Sequence, residues 1–364
     1  MYNRTGRKIL VGLNYPWADY GADFGIPPPG KTRAPWKAAA KLAELRELKR
    51  KYGIFAVRWF ILADGLTYGT GAEAPGNPSG NIWTFQVPAH SPNHIVSDFK
   101  TLLVEIHQAG LKIIPSLIDF HWCHPGKPVG HGYVKCGRAD VIRNAANHRK
   151  FFEHILEPLL KASKGLPIYA WELVNEPEWI TIGSGQGDPS KHVIPMPTMN
   201  AFIREGIRRI NAAGFDSTVG FAKMETLAEQ SPWDWKSSKI TKHQFHYYPL
   251  SHLKPTELPE HWFSVEYPCF VGEFATVLDM PEVDYKTQPP TYKGPDGKKD
   301  WTWLLHDSVS QRLLDMEAKG YPAAFLWSKK PKDPKWSQPG GPDDPATNWD
   351  TNTKNEIKKV TGMP

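Results

Sequence analysis

The chain has 364 residues, a formal net charge of +6 at pH 7, and 40% hydrophobic and 23% charged residues. These values are typical of a globular protein with a large core, and they exclude a disordered or fibrous chain. Because no apolar run approaches the roughly 20 residues that cross a bilayer, we predict no membrane partner. The lysine-rich stretches at 298–299 and 329–335 are interrupted by Asp or Pro, so we predict no nucleic-acid partner.

Apolar runs of strand length alternate with segments of helical periodicity along the whole chain, which is typical of parallel β/α units. The predicted strands are 8–15, 55–62, 111–119, 167–175, 217–223, 242–248, 269–275 and 323–328. The predicted helices are 36–52, 95–109, 147–162, 199–213, 303–319 and 353–360, with short helices at 226–230 and 256–262. No linker or repeat divides the chain. We therefore predict one domain, residues 1–364, folded as an α/β (β/α)8 TIM barrel.

The predicted connections between strands and helices are uneven in length. Helix-to-strand links are brief, whereas strand-to-helix links are long, at 17–35, 63–94, 120–146, 178–197 and 276–300. In a barrel these long loops all rise on the C-terminal face, where active sites are found. They are rich in Gly, Pro and aromatic residues, and the chain has 15 Trp and 13 Tyr. This composition favours a cleft that binds a polymer through stacking surfaces.

Two glutamates follow apolar strands that lie far apart in the sequence. Glu176 follows the fourth strand in the segment WELVNEP, and Glu273 lies near the end of the seventh in CFVGEFA. Two carboxyl groups delivered by separate strands to one barrel face form a candidate acid and base pair. Other polar or aromatic residues at strand ends are Asn14, Trp17, Arg58, Asp119, His121, Trp122, Asn175, His246, Tyr248 and Trp327.

As a set, the strand-end residues resemble glycoside hydrolase clan A, and most of all glycoside hydrolase family 5, of endo-β-glucanase or β-mannanase type. The residues that carry the resemblance are Arg58, His121, Asn175, Glu176, His246, Tyr248, Glu273 and Trp327. The resemblance implies that Glu176 is the general acid/base and Glu273 the nucleophile of a retaining β-glycosidase, without a cofactor or metal. Two residues depart from the expected pattern, namely Glu178 after the proline and Tyr169 in the fourth strand.

The chemistry of retaining hydrolysis accounts for the same residue types. It needs one protonated and one ionised carboxyl about 5–5.5 Å apart, and their mutual repulsion raises one pKa. Arg58 and Tyr248 are expected to hold the other carboxyl ionised, His246 to bond Glu176, and Asn175 to bind the sugar 2-hydroxyl. Trp327 is expected to form a floor under the sugar. Glu172, inside the fourth strand, is expected to be an ion-pair partner. Further substrate-binding candidates are His121, Trp17, Trp122 and Trp179.

The expected activity is retaining hydrolysis of a β-linked polysaccharide or oligosaccharide, with β-1,4-mannan or β-1,4-glucan favoured. One alternative is an exo-acting β-glycosidase or transglycosylase, with loop 276–300 closing one end of the cleft. Others are a non-catalytic carbohydrate-binding barrel and a metallohydrolase that uses Asp119, His121 and His124.

The cellular location and the state of the cysteines are less determined by the sequence. A polymer substrate favours a secreted or periplasmic protein, although residues 8–13 are too short for a signal peptide, and a cytoplasmic location stays open. Cys123 and Cys136 bracket a Gly-rich segment, and they either form a disulfide or stay as thiols. No pattern predicts the oligomeric state.

Overall fold

The core of the protein is a closed barrel of eight parallel strands. A computed structural model describes residues 8–17, 23–25, 38–65, 95–128, 134–185, 188–227, 231–247, 268–275, 308–327 and 351–364. The barrel strands are β1 (Leu10–Asn14), β2 (Ala56–Phe60), β3 (Lys112–Asp119), β4 (Trp171–Asn175), β5 (Ser217–Phe221), β6 (His243–Tyr247), β7 (Cys269–Ala275) and β8 (Ala323–Trp327). They follow one another around the barrel in chain order, and β8 pairs with β1. The predicted fold class and all eight predicted strands are confirmed.

Helices lie between the strands in sequence. They are α1 (Ala38–Tyr52), α2 (Ile95–Gln108), α3 (Asp140–Arg143), α4 (Ala145–Phe151), α5 (Glu157–Ala162), α6 (Met196–Ala212), α7 (Val309–Ala318) and α8 (Thr351–Thr361). A π-helical turn, Phe152–Leu156, joins α4 to α5, so the predicted helix 147–162 is continuous but irregular. The predicted helix 226–230 corresponds to a 3-10 turn, Met224–Leu227, and the predicted helix 256–262 lies outside the described residues.

The loops after β3 and β4 carry small elements of their own. A 3-10 turn, Phe120–Cys123, follows β3, and another, Pro177–Ile180, follows β4. The strands Lys127–Pro128 and Val134–Lys135 pair in antiparallel fashion, and Thr181–Ile182 pairs with Ile194–Pro195 in parallel. These elements give the C-terminal face of the barrel its local structure.

Aromatic residues fill the N-terminal end of the barrel. Phe55, Tyr169, Phe270 and Phe325 contact one another, with ring centroids of Phe55 and Phe325 5.5 Å apart and those of Tyr169 and Phe270 5.7 Å apart. The ammonium group of Lys242 lies 4.5 Å from the centroid of the Tyr169 ring. The unusual Tyr169 therefore belongs to the barrel floor, at the end opposite to the polar strand ends.

All three cysteines, Cys123, Cys136 and Cys269, are buried free thiols. Burial raises the pKa of Cys136 to about 12, and it raises the pKa of the other two thiols as well. The structure thus favours the thiol alternative over the disulfide. Within the described ranges, no helix is both long enough and apolar enough to cross a bilayer.

Candidate active site

The guanidinium group of Arg58 is the charged centre of the barrel interior, and it is fully buried. Its Nε and Nη2 each donate at 2.6 Å to a carboxylate oxygen of Glu172, and its Nη1 donates at 2.6 Å to Oε1 of Glu273. Arg58 also donates to Oδ1 of Asn175 at 2.6 Å and to Oδ1 of Asn14 at 2.9 Å. One cation therefore compensates two buried carboxylates and links side chains from β1, β2, β4 and β7.

Glu172 accepts hydrogen bonds from three side chains in the barrel interior. Besides the two bonds from Arg58, it accepts hydrogen bonds from the hydroxyl of Ser116 at 2.7 Å and from the amide of Gln244. Burial acts to raise the pKa of Glu172, but Arg58 and the other donors lower it overall. The predicted ion-pair role of Glu172 is confirmed. Ser116 and Gln244 are not among the residues predicted from the sequence. The signal that could have identified them is a polar residue inside an otherwise apolar strand, β3 for Ser116 and β6 for Gln244.

An irregularity in β4 lets two of its side chains reach the same cation. The pairing of β4 with β5 shifts register between Glu172 and Asn175. In a regular strand, residues three apart face opposite sides of the sheet, whereas here both side chains contact Arg58. Gly220 of β5 leaves the necessary space, because a Cβ there would lie 2.8 Å from Oε1 of Glu172.

A second irregularity places Glu273 beside His246. Gln244 pairs with Phe270, but His246 pairs with Glu273, so β7 contains one residue more than β6 over this interval. A Cβ on Gly272 would lie 2.2 Å from Oε1 of Gln244, so a larger residue at the bulge would push the Gln244 amide away from its present position beside Glu172. The bulge aims Glu273 at the polar centre of the barrel.

Glu176 adopts a left-handed backbone conformation at the end of β4, with φ 46° and ψ 54°. This conformation is costly for a residue other than glycine, and it is held by the hydrogen bond from the Glu176 N–H to the carbonyl of Gly220 at 2.6 Å. It ends the strand and directs the carboxyl group toward His246. Pro177, which follows, begins the next turn.

The carboxyl group of Glu176 is held on both sides. Nδ1 of His246 shares a hydrogen bond with Oε1 over 2.7 Å, and the indole N–H of Trp179 donates to Oε2 at 3.0 Å. Burial, followed by the nearby charge of Asp119, raises the pKa of Glu176 to about 8. The group is therefore protonated at neutral pH and below. Burial lowers the pKa of His246 to about 4, so this imidazole is neutral at the same pH.

The two candidate carboxyl groups meet around His246. Nδ1 of His246 lies 3.6 Å from Oε2 of Glu273, and one oxygen of Glu176, one oxygen of Glu273 and one His246 nitrogen all lie within 4.8 Å of one another. The structure thus brings Arg58, Asn175, Glu176, His246 and Glu273 together, as the sequence predicts. One carboxyl oxygen of Glu176 thus lies within 4.8 Å of one of Glu273, although the two residues are far apart in the sequence.

Among the residues that the structure describes, Glu176, His246 and Glu273 form the group that could hold a metal ion. The alternative ligand set of Asp119, His121 and His124 does not assemble into such a group in the part of the chain that the structure describes. A metal needs its carboxylate ligands ionised. Glu273 meets this condition through its ion pair with Arg58, whereas burial disfavours the ionised form of Glu176 when no cation is bound.

A second row of polar contacts extends from Asn175 to the open end of the barrel. The amide of Asn175 donates to Oδ2 of Asp119 at 3.0 Å, and Oδ1 of Asp119 contacts Nδ1 of His121 at 2.5 Å. Although burial opposes both shifts, this pairing raises the pKa of His121 and lowers that of Asp119. Asp119 therefore orients Asn175 and supplies the negative charge that acts on Glu176.

Of the four tryptophans predicted to bind substrate, three are partly exposed and stay candidates. Trp17, Trp179 and Trp327 are partly buried near strand ends, with the Trp17 ring centroid 6.1 Å from that of Phe60. Trp122 is fully buried and packs against Phe151 at 5.4 Å between centroids. The substrate-binding prediction for Trp122 is wrong, because its ring offers no open face. Tyr248 lies outside the described residues.

No family model and no curated protein matches the sequence. Solved structures are nevertheless similar to it. The β-mannanase from the blue mussel Mytilus edulis has a TM-score of 0.62 and 17% identity, covering 98% of this chain and 92% of that one. The β-1,4-mannanase from the sea hare Aplysia kurodai has the same TM-score and identity, covering 97% and 92%. A glycoside hydrolase family 5 enzyme from Prevotella bryantii B14 has a TM-score of 0.50 and 15% identity, covering 97% and 95%.

At these identities, the similarity is evidence about architecture. It extends over nearly the whole chain and includes the barrel that carries the candidate site. The chain thus has the (β/α)8 fold of these enzymes, and its predicted resemblance to family 5 glycoside hydrolases is confirmed at the level of the fold.

Proposed function

We propose that this protein is a retaining β-glycoside hydrolase in which Glu176 is the general acid/base and Glu273 is the nucleophile. The observation that carries the proposal is the pairing of a protonated and an ion-paired carboxyl group in one site. Glu176 has a pKa raised to about 8, while Glu273 is bonded to Arg58. Glycoside hydrolysis with retention requires this division between a proton donor and an ionised nucleophile.

The separation of the two carboxyl groups supports retention over inversion. Retaining enzymes hold their carboxyl groups about 5–5.5 Å apart, whereas inverting enzymes leave about 6.5–9.5 Å for a water molecule. Oxygens of Glu176 and Glu273 approach within 4.8 Å. This separation is on the retaining side of the two ranges, so direct attack by Glu273 on the sugar is favoured.

In the first step, a Glu273 oxygen forms a bond to the anomeric carbon as the bond from that carbon to the leaving sugar breaks. Glu176 gives its proton to the leaving oxygen, so a glycosyl ester of Glu273 and an ionised Glu176 remain. In the second step, Glu176 takes a proton from water, and the water oxygen attacks the anomeric carbon. The ester bond breaks and both carboxyl groups return to their starting states.

The other residues of the site bind the substrate or hold the two carboxyl groups. Asn175 uses one amide hydrogen for Asp119 and keeps the other for the sugar 2-hydroxyl. Arg58 orients Glu273, and His246 contacts both glutamates. We assign sugar contacts to His121, Trp17, Trp179, Trp327 and Tyr248.

The favoured substrate is a β-1,4-linked mannan or glucan, because the chain shares its fold with two β-mannanases across nearly their full length. Exo action or transglycosylation by the same carboxyl pair is the alternative, which depends on loop 276–300. Since a polymeric glycan does not cross membranes, we further assign the protein to the cell exterior or the periplasm.

The test is a comparison of purified protein on mannan, cellulose, xylan and mixed-linkage glucan. We expect hydrolysis of mannan or a β-1,4-glucan, and the β-anomer as the first product seen by proton NMR. An initial α-anomer would contradict retention, and no hydrolysis of any β-glycan would contradict the proposal as a whole. A single product size from the outset would select the exo alternative.

A further inference from the structure

Glu178 is a buried carboxyl group next to the candidate acid/base and outside the residues assigned above. It lies in the turn Pro177–Ile180, and its side chain is fully buried. Oε1 accepts hydrogen bonds from the backbone N–H of Ala222 at 2.9 Å and from the hydroxyl of Thr226 at 2.7 Å. Both donors belong to the segment that follows β5. Oε2 is buried and has no hydrogen-bond partner among the residues that the structure describes.

A buried carboxyl group with an unpartnered oxygen is costly to the fold. Burial, with a smaller contribution from Glu176, raises the pKa of Glu178 to about 7. An apolar side chain would remove the cost of the unpartnered oxygen, but it would also remove the two bonds to the β5 segment. The unpartnered oxygen of Glu178 therefore lowers the stability of the fold, while its other oxygen connects the end of β4 to the segment that follows β5.

This connection holds the turn that carries Trp179. The hydroxyl of Ser184 donates to the carbonyl of Glu178 at 2.7 Å, and that of Thr181 donates to the carbonyl of Pro177 at 2.7 Å. With the backbone so held and Glu178 anchored to β5, the indole N–H of Trp179 meets Oε2 of Glu176. Other charged or titratable groups that act on Glu176 are Asp119, Arg58, Glu172, His121, His246 and Glu273.

We propose that Glu178 is a positioning residue that acts on Glu176 through Trp179. By anchoring the turn Pro177–Ile180 to Ala222 and Thr226, it keeps the indole N–H on Oε2 of Glu176. That bond stabilises the ionised form of Glu176, which is the base of the second step. The kinetic part of this inference rests on the proposed function, whereas its effect on the protonation of Glu176 does not.

The test is a double-mutant cycle with Glu178→Ala and Trp179→Phe, read out by the carboxyl carbon NMR titration of Glu176 in the free protein. Loss of the indole donor in Trp179→Phe should raise the pKa of Glu176 by about 0.5–1 unit. Glu178→Ala is compared with Glu178→Gln, which removes the same charge, and relative to it should also raise the pKa of Glu176. On that reference the double variant should add little to either change, because both substitutions remove one interaction. Glu178→Gln keeps an acceptor for Ala222 and Thr226 and should leave the Trp179 indole resonance in place.

Additive shifts, or an unchanged Glu176 titration and indole resonance in folded Glu178→Ala, would overturn the inference. If Glu178→Ala does not fold, Thr226→Val removes one of the two anchoring bonds and should move the same resonances by a smaller amount. No movement in Thr226→Val would then count against the inference. Because the titration needs no substrate, its result stands apart from the proposed hydrolysis, and a failed glycan screen would leave it intact.

Discussion

Glu176 and Glu273 are the same residue type at the outgoing ends of two strands, yet their surroundings differ. Glu273 is bonded to a guanidinium group, whereas Glu176 is bonded to an imidazole and an indole. The neutral partners do not offset the loss of water around Glu176, so its pKa rises to about 8. The two carboxyl groups therefore differ because the cation Arg58 is bonded directly to Glu273, whereas the partners of Glu176 are neutral.

Replacing each glutamate by glutamine should separate the two roles most strongly. Glu273→Gln removes the proposed nucleophile and should lower turnover of every substrate by several orders of magnitude. Glu176→Gln should lower turnover of a natural glycan about 10²–10⁴-fold. It should still form the glycosyl-enzyme from an aryl glycoside whose leaving group needs no proton, which pre-steady-state release of the aryl group measures. Full activity in Glu273→Gln would reverse or remove its assigned role.

Removing the cation should show how strongly the barrel depends on it. Arg58→Met leaves Glu172 and Glu273 buried without a counter-ion, so the free energy of unfolding should fall by about 3–5 kcal/mol. Urea unfolding followed by tryptophan fluorescence measures this change. The matched control is Arg208→Met, because the Arg208 side chain is 63% exposed in its pair with Glu205 and should contribute less than about 1 kcal/mol. Equal losses in the two variants would contradict the central role of Arg58.

The pH dependence tests the raised pKa of Glu176. Because Glu176 must be protonated to act as the proposed general acid, kcat/KM should fall as pH rises through about 8. Asp119→Asn removes a negative charge that favours the protonated form, so the basic limb should move to lower pH, by about half a unit. Asp234→Asn, which changes a surface pair with Arg204, is the control and should leave the limb in place. A shift to higher pH in Asp119→Asn would contradict the assigned electrostatics.

The smallest expected effect is that of a chelator. Glu176, His246 and Glu273 could together hold a metal ion, but the proposed chemistry uses their protons and charges directly. Prolonged dialysis against EDTA should therefore change kcat by less than about 20%. A loss of activity that zinc or manganese restores would favour the metallohydrolase alternative.

The sequence predicts the strands well because their determinants are local. Each is a short apolar run between helical segments, and all eight appear in the barrel. Most predicted strands are longer than the observed ones, as at 167–175, where β4 begins at Trp171 and Ile168 forms an isolated bridge. Trp122 illustrates the opposite case, since nothing local distinguishes a tryptophan that lines a cleft from one that fills the core.

By itself, the sequence determined the order of strands and helices and which polar residues stand at strand ends, because hydrophobic periodicity and strand termination are properties of neighbouring residues. Only the tertiary structure decided how those residues are used. The register shifts in β4 and β7, the shared cation at Arg58 and the buried Glu178 all depend on pairing between segments far apart in the chain. Register and burial are set by contacts across the barrel, and these contacts place Glu273 in an ion pair while they raise the pKa of Glu176.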